Sequence, residues 1–135
     1  MEQYLLDLIT YRLERAREEL ANAEIIFAAG LVRKTYNCSY YAIFHAIRAV
    51  LAKDEFDSKK HSGVIAYFNK NYFSTGILER KFSAYVYQAF EMRNENDYKD
   101  FVEIDQDKAL VVFEHAKEFV DAVEKLLTET AITGV

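Results

Sequence analysis

Apolar residues recur at steps of three and four along most of this chain. Between Tyr4 and Phe27 the positions Leu5, Ile9, Leu13, Ala16, Leu20, Ala23 and Phe27 draw one stripe, with Arg12, Glu14, Arg15, Arg17, Glu18 and Glu19 opposite it. That pattern predicts an amphipathic helix. Gly30 can adopt the left-handed conformation that ends a helix, and the pattern restarts at Leu31. A second helix, about Val32 to about Lys53, should therefore return antiparallel after a short link. The polar stretch DEFDSKKHSG, with Ser58 as a possible N-cap, reads as a loop entering a shorter helix that holds Val64, Ile65 and Phe68 and closes at NYFSTG. From about Ile77, the stripe Leu78, Phe82, Val86, Ala89 and Phe90 marks a fourth helix. The acidic run EIDQD introduces a fifth, where Asp105 or Asp107 can accept hydrogen bonds from the exposed first-turn amides. Its apolar positions are Ala109, Val112, Ala116, Phe119, Val123 and Leu126, and the tail from about residue 128 to 135 loses the pattern and is expected to fray. Four long amphipathic segments and one short one predict an all-α fold: an antiparallel four-helix bundle with one additional short helix, as a single domain over residues 1–135.

Composition narrows the chemistry. The complete absence of proline and the presence of only four glycines remove the punctuation that many-stranded sandwiches need. The lone cysteine, Cys38, excludes an internal disulfide, and the three histidines hold no zinc-finger spacing. A reducing, cytoplasmic setting fits. Glu2 and Asp7 sit where a signal peptide needs positive charge, and no apolar run approaches the roughly 20 residues of a membrane span. A formal charge of −5 disfavours wrapping nucleic acid by bulk attraction but leaves room for a local basic groove. Ten tyrosines and ten phenylalanines exceed what an ordinary bundle core requires.

Three places interrupt the apolar stripes with polar groups. On the fourth helix, stepping on from Val86 and Ala89 lands on Arg93 and Asp97, with Asn94 and Tyr98 in the adjacent row. RNENDY thus gathers a cation, an amide, a carboxylate and a phenol, either as a structural ion pair at the bundle's end or as an anion site. A guanidinium fork suits phosphate, with Asp97 holding it in place. On the second helix, Tyr41, His45 and Arg48 form a ladder beside the apolar face of Ile43, Ile47, Val50 and Leu51. Tyr40, Tyr41 and Phe44 can serve as core or dimer-contact aromatics and His45 as a bonded core histidine; alternatively His45 does acid–base or nucleotide-contacting work and Tyr41 stacks. Third, Lys59, Lys60, His61 and Ser62 precede the short helix, as a solvated loop or as phosphate ligands at a helix N-terminus.

Several enzyme classes are excluded. No Glu-x-x-His pair supports a di-iron bundle, no His-Glu-x-x-His a zinc helix, and no P-loop or GxGxxG a nucleotide fold. Cys38 within a helix reads as an inert small hydrophobe rather than a nucleophile. No metal or other cofactor is called for.

The order YYAIFHAIRAVLA, then KHSGVIAYFNKNYF, then a helix ending RNENDY resembles the HEPN (higher eukaryotes and prokaryotes nucleotide-binding) domain family, in its small stand-alone prokaryotic branch. The likeness runs from about Leu13 to about Leu127. It implies a helical bundle that forms a homodimer, with paired arginines meeting in a cleft across the two-fold axis. Many relatives are metal-independent ribonucleases, and some are toxin partners of small nucleotidyltransferases encoded beside them. The family signature is an arginine, usually a polar residue, and then a histidine a few positions on. Arg93 and Asn94 match its first half, whereas Tyr98, Lys99 and Asp100 occupy the places where the histidine would fall. A phenol with an ordinary pKa of about 10 is a poor base at neutral pH.

Two functions follow from the resemblance. One is a HEPN protein that binds nucleotide or RNA as part of a two-gene toxin–antitoxin system with a small nucleotidyltransferase, using Arg93, Tyr41, His45, Lys60 and His61. The other is a metal-independent endoribonuclease in which Arg93 steadies the scissile phosphate, Asn94 and Asp97 support it, and His45 or Tyr98 replaces the missing histidine.

Overall fold

A computed structural model describes residues 2–98 and 105–132, with side chains over 2–92 and 105–129. Five α-helices follow one another among the described residues: α1 (Gln3–Ala28), α2 (Val32–Asp54), α3 (His61–Phe68), α4 (Lys81–Tyr98) and α5 (Gln106–Ile132). The link between α1 and α2 is set by Gly30, whose φ of +82° lets its amide reach the Phe27 carbonyl (2.9 Å) while Leu31 N–H reaches Ile26 (3.1 Å). Those two bonds satisfy the last carbonyls of α1. Helix α2 ends in the same way at Glu55, with φ +55°, where Glu55 N–H bonds to Ala52 and Phe56 N–H to Leu51. Phe56 then stacks on Tyr67 at 3.9 Å between ring centroids, which ties the loop back to α3.

The entry to α3 differs from the sequence expectation. Ser58 does not cap the helix: its Oγ donates to the Lys60 carbonyl (3.2 Å) and accepts the Lys60 amide (3.3 Å), closing a turn ahead of it. Lys60 takes the N-cap position in an extended conformation, without a side-chain cap. Gly63 sits against this turn, where an added Cβ would fall 2.4 Å from Ser58 Oγ. Instead of stopping, α3 runs on into a π-helical turn, Asn69–Phe73, that buries Tyr72 and Phe73. Helix α4 begins at Lys81, later than the apolar stripe implied, because the Leu78 amide is held by the Tyr72 carbonyl (3.0 Å). At α5 the expected cap is present, with Asp105 Oδ1 accepting the Lys108 amide at 2.7 Å. The helix continues to Ile132, past the end of the apolar pattern.

Residue pairs fix the directions of the helices. Arg12 bonds to Arg48 while Glu19 meets Cys38, so α1 and α2 run antiparallel. Phe82 packs on Phe119 and Tyr85 on His115, which makes α4 and α5 antiparallel as well. The core between them is formed by Tyr40, Ile43, Ile47, Phe68, Phe119, Val120 and Val123, all almost wholly buried. Arg17 straps α1 to α5 through Asp121 (2.7 Å) and Glu124. Asp54, a carboxylate at the unfavourable C-terminal end of α2, is compensated by Lys53 Nζ at 2.8 Å and by the hydroxyls of Tyr67 and Tyr72. Among the described residues no helix is long and apolar enough to cross a membrane.

Candidate functional site

Helices α2, α3 and α4 converge on one cleft. Tyr40 on α2 is 1% exposed, wedged against Phe90 (4.8 Å between centroids) and Phe44 (5.9 Å). A tyrosine buried that deeply needs a partner for its hydroxyl, because an unpaired buried polar group costs about 1–3 kcal/mol. His61 supplies it: the extended backbone at Lys60 delivers His61 as the first residue of α3, and its Nδ1 lies 2.9 Å from Tyr40 Oη. If the phenol donates, the imidazole proton sits on Nε2; if Nδ1 donates, Nε2 is left as an acceptor. Rings hold the imidazole on two further sides, Phe44 at 4.9 Å and Phe90 at 5.8 Å.

Beside this pair opens a cleft of about 340 Å³ lined by Tyr40, His61, Ser62, Tyr87, Phe90 and Glu91. Tyr87 stands at its rim, 63% exposed, and offers a ring face to a planar guest. Chemically the cleft can stack a base, hydrogen-bond its edge through His61 or Glu91, and move a proton at the imidazole. A larger cavity, about 560 Å³, lies between α4 and α5, where Tyr85 stacks flat on His115. Glu114, Glu118 and Asp121 line it and make it unsuited to phosphate.

The sequence-selected residues fall into three places. His61 is in the cleft, and Lys60 is exposed beside it at the N-cap of α3. Tyr41 and His45 lie in the adjacent row of α2, 6.3 Å apart between ring centroids, with Arg48 next along and its guanidinium carbon 5.9 Å above Phe44. Phe44 thus stands between the two groups, contacting His61 on one side and His45 on the other (6.4 Å). Burial, then the positive charges of Arg15, Arg48 and Arg12, hold the His45 imidazole below its usual pKa, with Glu18 pulling the other way. Arg93, Asn94, Asp97 and Tyr98 belong to the last turns of α4, the helix that supplies Tyr87, Phe90 and Glu91; their side chains lie outside the described residues.

Tyr40, Tyr87 and Glu91 went unselected by sequence reasoning. Tyr40 was grouped with core or dimer-contact aromatics, although a tyrosine on a core stripe signals a polar partner nearby. Tyr87 and Glu91 are spaced i, i+4 and lead along α4 towards RNENDY, a signal that was available. Cys38 matches the inert expectation: burial first, then Glu19, push its thiol up to about 11.

The HEPN domain family matches residues 9–126 of the chain. A "UPF0332 protein" of Thermotoga maritima is 32% identical over 122 residues, covering 90% of this chain and 92% of its own. "Putative toxin MJ0605" of Methanocaldococcus jannaschii is 32% identical over 117 residues, 87% of each chain. A "UPF0332 protein" of Archaeoglobus fulgidus is 28% identical over 124 residues, covering 92% of this chain and 98% of its own.

Proposed function

Since the chain belongs to the HEPN domain family, we propose that it is the toxin-side component of a two-gene system, binding nucleotide or RNA in the cleft between α2, α3 and α4. The observation that carries this function is the cleft itself: an exposed ring at Tyr87 beside the buried Phe90, an anchored imidazole at His61, and the same helix running on into Arg93. A base stacks on the rim, Arg93 takes the phosphate with Asp97 and Asn94 bracing it, and Lys60 adds charge from the other wall. Tyr98 contributes a hydroxyl at the end of the helix. A homodimer brings two copies of Arg93 towards one another, and a small nucleotidyltransferase is the partner protein. The toxin name of the Methanocaldococcus relative supports the system.

Calorimetric titration with a short oligoribonucleotide tests it. Arg93→Ala and Tyr87→Ala should each lower affinity by about 5- to 150-fold, the scale of one lost stacking or charge-assisted contact of about 1–3 kcal/mol, with helical content unchanged. Full affinity in both variants removes the cleft as the binding site.

A specific observation also favours cleavage. His61 lines the cleft and is bonded to Tyr40, which restricts the orientation of its imidazole as a general base requires, whereas His45 lies in the next row of α2 and His115 faces the α4–α5 groove. In that activity the base takes the 2′-hydroxyl proton while Arg93 stabilises charge on the phosphorus oxygens. His45 remains the competing base, its imidazole held below its usual pKa by burial and then by Arg15, Arg48 and Arg12. Highly purified protein incubated with labelled RNA and a chelator decides between them. Loss of cleavage in His61→Ala with retention in His45→Ala assigns the base to His61, and no cleavage by the wild type leaves binding as the function.

A further inference from the structure

We propose that the surface shared by α1 and α2 carries a second phosphate-binding site, in which Arg12, Arg15 and Arg48 hold a phosphate mono- or diester beside His45 and Tyr41. It is separate from the cleft and does not depend on what the cleft holds.

The chain is acidic overall, at −5, yet Arg12 and Arg15 of α1 and Arg48 of α2 all act on the His45 imidazole. Arg12 Nη1 donates to the backbone carbonyl of Arg48 at 2.8 Å, which places the cation of one helix against the arginine of the other. Arg12 and Arg15 are spaced i, i+3 on α1, as are His45 and Arg48 on α2, so each pair shares one face of its helix. Gathering like charges is unfavourable, and Arg12 shows it: burial, then Arg48, lower its pKa.

The carboxylates nearby do not neutralise the cluster firmly. Glu18 lies 3.7 Å from Arg15 with 60% of its side chain exposed, Asp57 lies 4.0 Å from Arg48 with 81% exposed, and Glu19, which also acts on Arg15, is hydrogen-bonded to Cys38. Solvent-exposed pairs of this kind are weak and give way to a better anion. A phosphate is such an anion, because guanidinium forks donate to two of its oxygens at once. The charged and titratable groups acting on His45 are Arg12, Arg15 and Glu18 from α1 and Arg48 from its own helix. Tyr41, 37% exposed one turn before His45, adds a ring on which a neighbouring base can lie. Phe44 separates this site from the cleft.

His45 is a built-in reporter. An anion bound to the three arginines cancels the charges that depress its pKa, so its titration, followed by the imidazole resonances in NMR, must move upward. The probes are uridine monophosphate and a short oligouridylate, added to wild type, to the double variant Arg15→Gln/Arg48→Gln, and to Arg93→Ala. The expected result is an upward shift in wild type and Arg93→Ala and none in the double variant. Its log-affinity against log-salt slope should also be shallower by about 0.7 per lost arginine. A shift with the oligomer alone identifies an RNA backbone, and one with the monophosphate as well identifies a terminal phosphate. No shift with either probe, or an equal shift in the double variant with helical content intact, overturns the site. Because Arg93→Ala empties only the cleft, failure there and failure here are read separately.

Discussion

Tyr40 and His61 show how one buried hydroxyl organises a site. The phenol lies between Phe44 and Phe90, and its hydroxyl is bonded to His61, which holds the first residue of α3 against α2. Removing the hydroxyl should therefore act on His61 more than on the core. Tyr40→Phe is expected to lower stability by about 0.5–1.5 kcal/mol, the net worth of one hydrogen bond, in chemical denaturation. It should also weaken nucleotide binding, because the imidazole loses the bond that sets its tautomer; phenylalanine leaves ring packing intact. His61 was legible as part of a polar run before a short helix. Its partner was not, since periodicity reports neighbours at three and four residues and is blind to a contact across 21 positions.

At the scale of elements, the helices were readable because each carries a repeat of three and four, and Gly30 and Asp105 punctuate them by local chemistry. The boundaries that moved are those set by tertiary contacts. The Tyr72 carbonyl holds the Leu78 amide and delays α4, and Ser58 spends its hydroxyl on a turn rather than a cap. The end of α2 carries a testable penalty. Glu55 adopts a left-handed conformation, φ +55°, that disfavours a residue with a Cβ. Glu55→Gly should stabilise the protein by about 0.5–1 kcal/mol and raise Tm by a few degrees, measured by thermal denaturation. A decrease would mean that the Glu55 side chain contributes more than its backbone costs.

At the scale of the whole molecule, pH acts on the fold from both sides. His45 and His115 have depressed pKa values, chiefly through burial, so the folded protein binds fewer protons than the unfolded chain below about pH 6.5. Their contribution to stability is present above that pH and is lost as pH falls through it. Tyr36 is pushed up to about 12 by burial and Asp105, while Tyr67 and Tyr72 are raised by burial and then Asp54. Here, as at the Cys38 thiol raised to about 11, the folded state retains protons that the unfolded chain releases, so stability is complete below about pH 9 and declines above it. Urea midpoints across the pH range should form a plateau between about 6.5 and 9 with losses on both flanks. A midpoint that rises as the solution is acidified from pH 7 to 5 would contradict the burial of the two histidines.

The same scale decides function, since a bundle alone hosts many activities and only its occupied surface distinguishes them. The most direct measurement is ultraviolet crosslinking of an RNA carrying thiouridine, with the attachment points mapped by mass spectrometry on the intact protein. Crosslinks are expected at Tyr87 on the rim of the cleft, and they should vanish in Arg93→Ala. Crosslinks confined to the α4–α5 groove around Tyr85 and His115, or a pattern unchanged by Arg93→Ala, would contradict nucleic-acid binding in the cleft.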